Sequence, residues 1–134
     1  MLTPNEVRYG NWILVPTEKG KFEWDQVIEI SEHRVVTKFY SQNNSMGFAW
    51  KDVKGIELTL DILEKAGFEK QDKLNVGAQT YFKKGMGEYL SYHYDGLIVY
   101  EANGTSIKYF HQLENLYHSL TGNELEFKQS KPLA

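Results

Sequence analysis

The chain has 134 residues, 41% of them hydrophobic and 25% charged, with a formal net charge of -3 and no cysteine. This composition is not that of a disordered chain, and the length fits one domain or two small modules that share a core. The absence of cysteine excludes disulfides, thiolate nucleophiles and zinc sites built on sulfur.

The first 55 residues predict a series of short strands. NWILVP (11–16) is apolar and stops at a proline, and the alternation through 22–30 places Phe22 and Trp24 on an inward face. RVVTKFY (34–40) and FAWKDV (48–53) are the predicted third and fourth strands, on either side of a polar loop. Short strands and close turns predict a small SH3-like β-barrel over residues 1–55. The alternative is an open sheet continuous with the later strands.

A short helix is predicted over residues 59–66. Thr59 can cap its first turn, Gly67 can end it, and Phe68 can fold back onto Leu63. The following segment, GFEKQDKLNVGAQ, is predicted to be a connector, and TYFKK is predicted to be a strand that leads into a Gly-Met-Gly turn.

Residues 89–109 predict three strands joined at Asp95-Gly96 and Asn103-Gly104. Both dipeptides suit the two-residue type I′ turn of a β-hairpin. Counting outward from such turns pairs Tyr92 with Val99, Leu90 with Glu101, and Tyr100 with Ile107.

This register makes both faces of the three-stranded meander apolar. One face would carry Tyr89, Ile98, Tyr100, Ala102, Ile107 and Tyr109, and the other Leu90, Tyr92, Tyr94, Leu97 and Val99. Helices can cover one face, so the other is predicted to meet the amino-terminal module, a second copy of the chain or a foreign partner.

A closing helix is predicted over residues 109–121. Its buried stripe would consist of Tyr109, Leu113, Leu116, Tyr117 and Leu120. ELEF (124–127) is predicted to form a last short strand. Together these elements predict an α+β module over residues 56–134, with strands from about 79 to 109.

No catalytic residue, metal site or cofactor is predicted. His111 and His118 lie two helical turns apart, about 10 Å, which is too far for one metal ion, so with Glu114 they predict a solvated or partner-facing surface. Ser91 and His93 lack a third group that would make them a nucleophile and its base.

A nucleic-acid site is one alternative for the amino-terminal module. The candidate residues are Lys19, Lys21, Arg34 and Lys38, with Phe22, Trp24, Phe39 and Tyr40 nearby. Interleaved acidic residues oppose this reading, and residues 1–54 carry seven basic and seven acidic side chains. Phe22 and Trp24 are also predicted to belong to the core.

The favoured interpretation is a non-enzymatic accessory protein that acts through protein contacts. Its contact residues would be Tyr92, Tyr94, Leu97 and Val99, on one face of the meander. The partner would be another protein or a second copy of the chain, and a nucleic-acid-binding small barrel is the alternative. No signal peptide or membrane segment is evident, so we expect a cytoplasmic protein without membrane contacts.

Three stretches carry a family resemblance. VRYGNWILVP, IELTLDILEKAGFEK and IKYFHQLENLYHSLTGNELEF resemble a family of short uncharacterised proteins of gut bacteria and their prophages, whose closing helix has the pattern HQLxNLYxxLTGxEL. The sequence departs from the family at residues 55–57 and at His118. The resemblance implies a phage or mobile-element context, and it brings no activity, ligand or catalytic residue.

Overall fold

The structure is a computed structural model that describes residues 2–17, 20–38, 45–71, 79–93 and 96–127. Two compact units are built around residues Met1–Ile56 and Glu57–Ser130. The described residues form two antiparallel sheets, of four and five strands, together with two α-helices. The predicted α+β class is therefore confirmed.

The sheet of the first unit is open among the described residues. Its strands are β1 (Trp12–Pro16), β2 (Phe22–Ile30), β3 (Arg34–Thr37) and β4 (Met46–Ala49), in the order β1-β2-β3-β4. The predicted fourth strand is cut short, because Trp50–Asp52 form a 3₁₀-helix. The chain then returns to the far edge of β1 through an antiparallel bridge between Leu14 and Lys54. No closed barrel is found in this part of the chain.

The core of the first unit lies on the face opposite to the predicted one. Val15 pairs with Glu23, and Leu14 pairs with Trp24. Because successive side chains of a strand point to opposite faces, Val15 and Trp24 lie on opposite faces of the sheet. The core cluster consists of Leu2, Val7, Ile13, Val15, Val27, Val35, Trp50 and Val53. The β2–β3 register shifts between Val27 and Glu29, and this irregularity returns Ile30 to the core side. The inward alternation predicted through 22–30 is therefore wrong for Phe22 and Gln26, whereas Trp24 is buried (8% exposed) and Ile30 packs against the core.

A turn at residues 8–11 fixes the entry into β1. The Asn11 backbone N–H donates to Arg8 O (3.0 Å), and the buried Asn11 Oδ1 accepts from the Arg8 N–H (2.7 Å). Gly10 has a φ of 92°. Gly10 N–H donates to Val27 O, and Asn11 O accepts from Val27 N–H, so two residues oppose one, as in a glycine bulge.

The second unit contains α1 (Leu60–Lys65), β5 (Glu69–Gln71), β6 (Gln79–Phe82), β7 (Leu90–Tyr92), β8 (Ile98–Tyr100), β9 (Thr105–Ser106) and α2 (Phe110–Thr121). Its strands follow the order β5-β6-β7-β8-β9. Strand β5 lies in the segment predicted to be a connector. Residues 124–127 form no strand; instead, the Phe127 ring packs edge-on against Phe110 at 5.6 Å.

The helix ends follow the sequence signals. Thr59 Oγ1 accepts from Ile62 N–H (3.2 Å) at the start of α1, and Phe68 N–H donates to Leu63 O (3.0 Å) after its end. At the start of α2, Gln112 Oε1 accepts from two backbone N–H groups, those of residues 108 and 109. The α1 boundaries predicted from sequence differ by one residue at each end.

The first hairpin is out of register with the prediction by one residue. Tyr92 pairs with Ile98, not with Val99. His93 N–H donates to Leu97 O (2.9 Å), which leaves three residues in the turn, and Gly96 has a φ of 91°. A three-residue loop with a left-handed glycine is the next most common hairpin turn after the two-residue types.

The second hairpin differs from the prediction by two residues. Tyr100 pairs with Thr105 instead of Ile107. Gly104 N–H donates to Tyr100 O (2.9 Å), so the turn holds four residues, 101–104. A shift of two keeps each side chain on its face, whereas a shift of one reverses it.

The observed registers give the second sheet one apolar face and one mixed face. The mainly apolar face carries Tyr81, Leu90, Tyr92, Ile98, Tyr100 and Ile107 with Gln79 and Thr105 at its ends, and the other carries Thr80, Phe82, Ser91, Val99 and Ser106. The prediction of two apolar faces is wrong, because the one-residue shift moves Leu90 and Tyr92 onto the face of Ile98 and Tyr100.

Candidate binding surfaces

A pocket of about 370 Å³ lies at the β8–β9 edge of the second unit. It is lined by Glu57, Leu58, Gly96, Leu97, Ile98, Ser106, Ile107 and Lys108. Leu97 is 50% exposed, and Glu57 and Lys108 are also exposed. The lining therefore combines an exposed aliphatic side chain with one carboxylate and one ammonium group. We call this site the edge pocket.

Hydrogen bonding explains why the edge pocket lies at this point. Ile107 N–H donates to Ile98 O (2.7 Å), and alternation along an antiparallel ladder directs the peptide groups of Ser106 away from β8. One step later, Lys108 O accepts from Leu58 N–H (2.9 Å) on the other side of the strand. Strand β9 is the last strand of its sheet. Glu57 forms its antiparallel bridge with Tyr109, which follows β9 in the chain.

The predicted contact residues are not brought together as one patch. Tyr92 lies on the apolar face of the sheet and Val99 lies on the mixed face. Leu97 lines the edge pocket. Tyr94 lies outside the described residues. Sequence reasoning missed Glu57 and Lys108, because no local pattern shows that Leu58 bonds to Lys108 between β9 and α2.

The first unit presents a second surface, which we call the aromatic–cationic face. It consists of Trp12, Phe22, Trp24, Arg34, Lys38 and Lys54, and cross-strand pairing places these residues on the side of the sheet opposite to the core. Lys54 Nζ lies 4.0 Å from the centre of the Phe22 ring. The Trp12 and Trp24 rings lie 6.4 Å apart at an angle of 52°.

The structure places two of the four predicted nucleic-acid residues on this face. Lys38 N–H donates to Gln26 O, and Gln26 pairs with Trp12, so the three residues form one row across the sheet. Arg34 lies on the same side of β3 as Lys38, because strand residues two and four apart share a face. Lys21 lies before β2, at the far end of the sheet, and Lys19 lies outside the described residues. Sequence reasoning did not identify Lys54, because its place on this face depends on the bridge to Leu14.

The polar side of α2 is not solvated at its start. His111 and Glu114 are 1% and 2% exposed, and the His111 ring stacks on Tyr109 at 5.6 Å. The prediction of a solvated surface is wrong for both, because the first two turns of α2 are buried over a wider arc than the predicted stripe. The last turn is less buried: Leu120 is 42% exposed, and His118 Nε2 lies 3.8 Å from Glu124 Oε2.

The described residues contain no group of three His, Cys, Asp or Glu side chains placed to hold a metal ion. Ser91 is 2% exposed on the mixed face, and His93 is half-buried beside the adjoining turn. Within the described ranges, no helix has both the length and the apolar character needed to cross a membrane. No family model, curated protein or solved structure matches the chain.

Proposed function

We propose that this chain is a non-enzymatic accessory protein that acts through protein contacts at the edge pocket, and that its partner there is a second copy of the chain. One observation carries the proposal: the half-exposed Leu97 lines a pocket that also holds Glu57 and Lys108. An exposed apolar surface that is rimmed by polar residues is a mark of a contact site for another protein. The phage or mobile-element context implied by the family resemblance belongs to the same proposal.

Charge favours a second copy over a foreign protein. An interface with two-fold symmetry uses the same patch on both subunits, so it must be complementary to itself. The edge pocket meets this requirement, because Glu57 of one copy can pair with Lys108 of the other, and the reverse pair forms by symmetry. A partner with uniform charge would meet one of these two residues with repulsion.

The backbone at Ser106 supports the same arrangement. Its outward peptide groups supply one donor and one acceptor at the end of the sheet. Two copies of β9 that run antiparallel across a two-fold axis can exchange this pair of hydrogen bonds. Edge strands often associate in this way unless charge or a bulge prevents it.

Sedimentation equilibrium over a wide concentration range tests the proposal. We expect a reversible dimer, which Leu97→Asp weakens by roughly ten- to hundredfold, the loss for a buried leucine side chain. Leu120→Asp is the matched control, because Leu120 is 42% exposed and lies outside the edge pocket. A chain that stays monomeric at all concentrations, or a dimer that both leucine variants weaken equally, would overturn the proposal.

A charge exchange locates the contact more sharply. Glu57→Lys and Lys108→Glu should each weaken the dimer by about twofold to fivefold, the range of an exposed ion pair. The double variant restores opposite charges and should dimerise like the parent chain. If the double variant is weaker than either single variant, these residues do not face each other across the interface.

We also infer that the first unit is a variant of the small SH3-like barrel. The 3₁₀-helix after β4 and the bridge from Lys54 to Leu14 support this inference. Together they return the chain to the far edge of β1, which is the step that closure of such a sheet requires.

A further inference from the structure

We propose that the aromatic–cationic face of the first unit binds single-stranded nucleic acid. This proposal is independent of the contacts at the edge pocket, because all of its residues belong to the other unit. It rests on how the strands sort charged and aromatic side chains between the two faces of one sheet.

Alternation separates the basic side chains from most of their acidic neighbours in sequence. Glu23 and Asp25 pair with Val15 and Ile13, so they lie on the core side of β2. Lys38 lies on the opposite side, because it adjoins Gln26 across the strand pair. The interleaving that cancels charge along the sequence therefore does not cancel it on this face.

One acidic residue of β2 shares the aromatic–cationic face. Glu29 pairs with Val36, which lies between Arg34 and Lys38 on β3. The three basic side chains of the face, Arg34, Lys38 and Lys54, are all exposed. Among the described residues that cross-strand pairing places on this side of the sheet, the three cations thus outnumber the one carboxylate, Glu29.

The spacing of the cations suits a chain of phosphates better than a single phosphate. Arg34 and Lys38 are four residues apart on one strand, or about 13 Å. Lys38 and Lys54 are separated by three strand spacings across the sheet, or about 15 Å. The three positive charges therefore follow an extended path, and a nucleic-acid backbone can meet each of them in turn.

Aromatic rings lie along the same path. Trp12 is half-buried on the edge strand β1, at the end of the row that runs from Lys38 through Gln26, so part of its ring can receive a base. Trp24 is 8% exposed and lies against Trp12, so it supports that ring and does not contact a base itself. Rings next to cations bind single strands by stacking, which paired bases in a duplex do not permit.

Fluorescence anisotropy with labelled oligo-dT, oligo-U and a DNA duplex of equal length tests the proposal. We expect both single strands to bind more tightly than the duplex. The affinity for oligo-dT compared with that for oligo-U decides between DNA and RNA. If three cations contact phosphates, log K should fall with log salt at a slope of roughly -2. No binding of either single strand at low salt would overturn the proposal.

Paired charge reversals locate the site. Arg34→Glu with Lys38→Glu should reduce the salt slope by roughly 1.4 and abolish most of the binding. Lys70→Glu with Lys84→Glu is the matched control, because it changes the net charge equally at exposed residues of the other unit. Equal loss in the two pairs would mean that net charge alone drives binding, and would refute the assignment.

Stacking on Trp12 has a separate test. Trp12→Ala should weaken binding by roughly 5- to 150-fold, whereas Trp12→Phe retains a ring and should lose less. Thermal melting checks that both variants fold, and quenching of tryptophan fluorescence by oligo-dT in the parent chain gives a second measurement without mutation. Heparin binding as tight as that of the oligonucleotides, with no effect of Trp12→Ala, would show a general anion surface and overturn the proposal.

Discussion

The hydrogen bond between Tyr100 and Met86 provides the sharpest test of the second sheet. The Tyr100 hydroxyl donates to the Met86 carbonyl at 2.9 Å, and the two residues are 5% and 2% exposed. Tyr100→Phe keeps the ring and removes the donor, which leaves a buried carbonyl without its partner. An unsatisfied buried acceptor costs about 1–3 kcal/mol, so we expect the free energy of unfolding to fall by that amount.

Urea denaturation followed by far-UV circular dichroism measures this loss. Tryptophan fluorescence is a poor substitute, because Trp12, Trp24 and Trp50 all belong to the first unit. Tyr9→Phe is the matched control: Tyr9 is 65% exposed, and its change should stay within about 0.5 kcal/mol. If Tyr100→Phe is as mild as the control, the turn before β7 is not held to β8 as described.

Two further predictions concern a tyrosine and a glycine. Burial raises the pKa of the Tyr81 hydroxyl above its ordinary 10.0, and Glu64 and Tyr92 add to the effect. Since folding favours the protonated hydroxyl, its contribution to the free energy of unfolding is complete below about pH 10 and is lost as pH rises through the folded pKa. Urea denaturation at a series of pH values should show this alkaline loss of stability in the parent chain and not in Tyr81→Phe. Gly10→Ala should cost about 1–2 kcal/mol by tryptophan fluorescence because its φ is 92°. Gly47→Ala is its control, since the added Cβ would lie 3.4 Å from Arg34 Nη1, and equal costs would contradict the turn geometry.

The helices were predictable because their signals are local. Thr59 caps α1 through its own side chain, and Phe68 completes the turn after Gly67. Each of these interactions joins residues within about five positions of each other, so sequence spacing alone can indicate it. The burial of α2 was less predictable, because the surroundings of His111 and Glu114 depend on contacts distant in sequence.

The hairpin registers show why strand faces were not predictable. Asp-Gly suits a two-residue turn, and a left-handed glycine equally ends a three-residue turn. The choice at Gly96 changes the register by one residue and moves Leu90 to the other face. Local sequence does not decide between these turns; packing of Leu90 with Ile98 and Tyr100 on one apolar face does.

Strand β2 presents the same ambiguity in another form. Four of its five even-numbered positions are apolar or aromatic, which predicts that Trp24 faces the core. The core is instead set by the neighbouring strands, which supply Ile13, Val15 and Val35 on the other side. Alternation identified the two faces correctly as far as Val27, but it could not tell which of them the rest of the unit covers, and it could not show the irregularity that moves Ile30.

The motifs behind the family resemblance have structural roles wherever the structure describes their contacts. The Gly-Asn pair at 10–11 forms a bulge and a turn, the Gly-Phe pair at 67–68 ends α1, and Gln112 caps α2. A protein that shared these motifs would share the fold elements they build, whatever it binds. Residues outside the shared stretches therefore separate binding from folding most cleanly, and Leu97, Arg34, Lys38 and Lys54 meet that condition. Variants at these four positions leave every turn and cap described above in place, so a loss of binding in them would report on contact and not on folding.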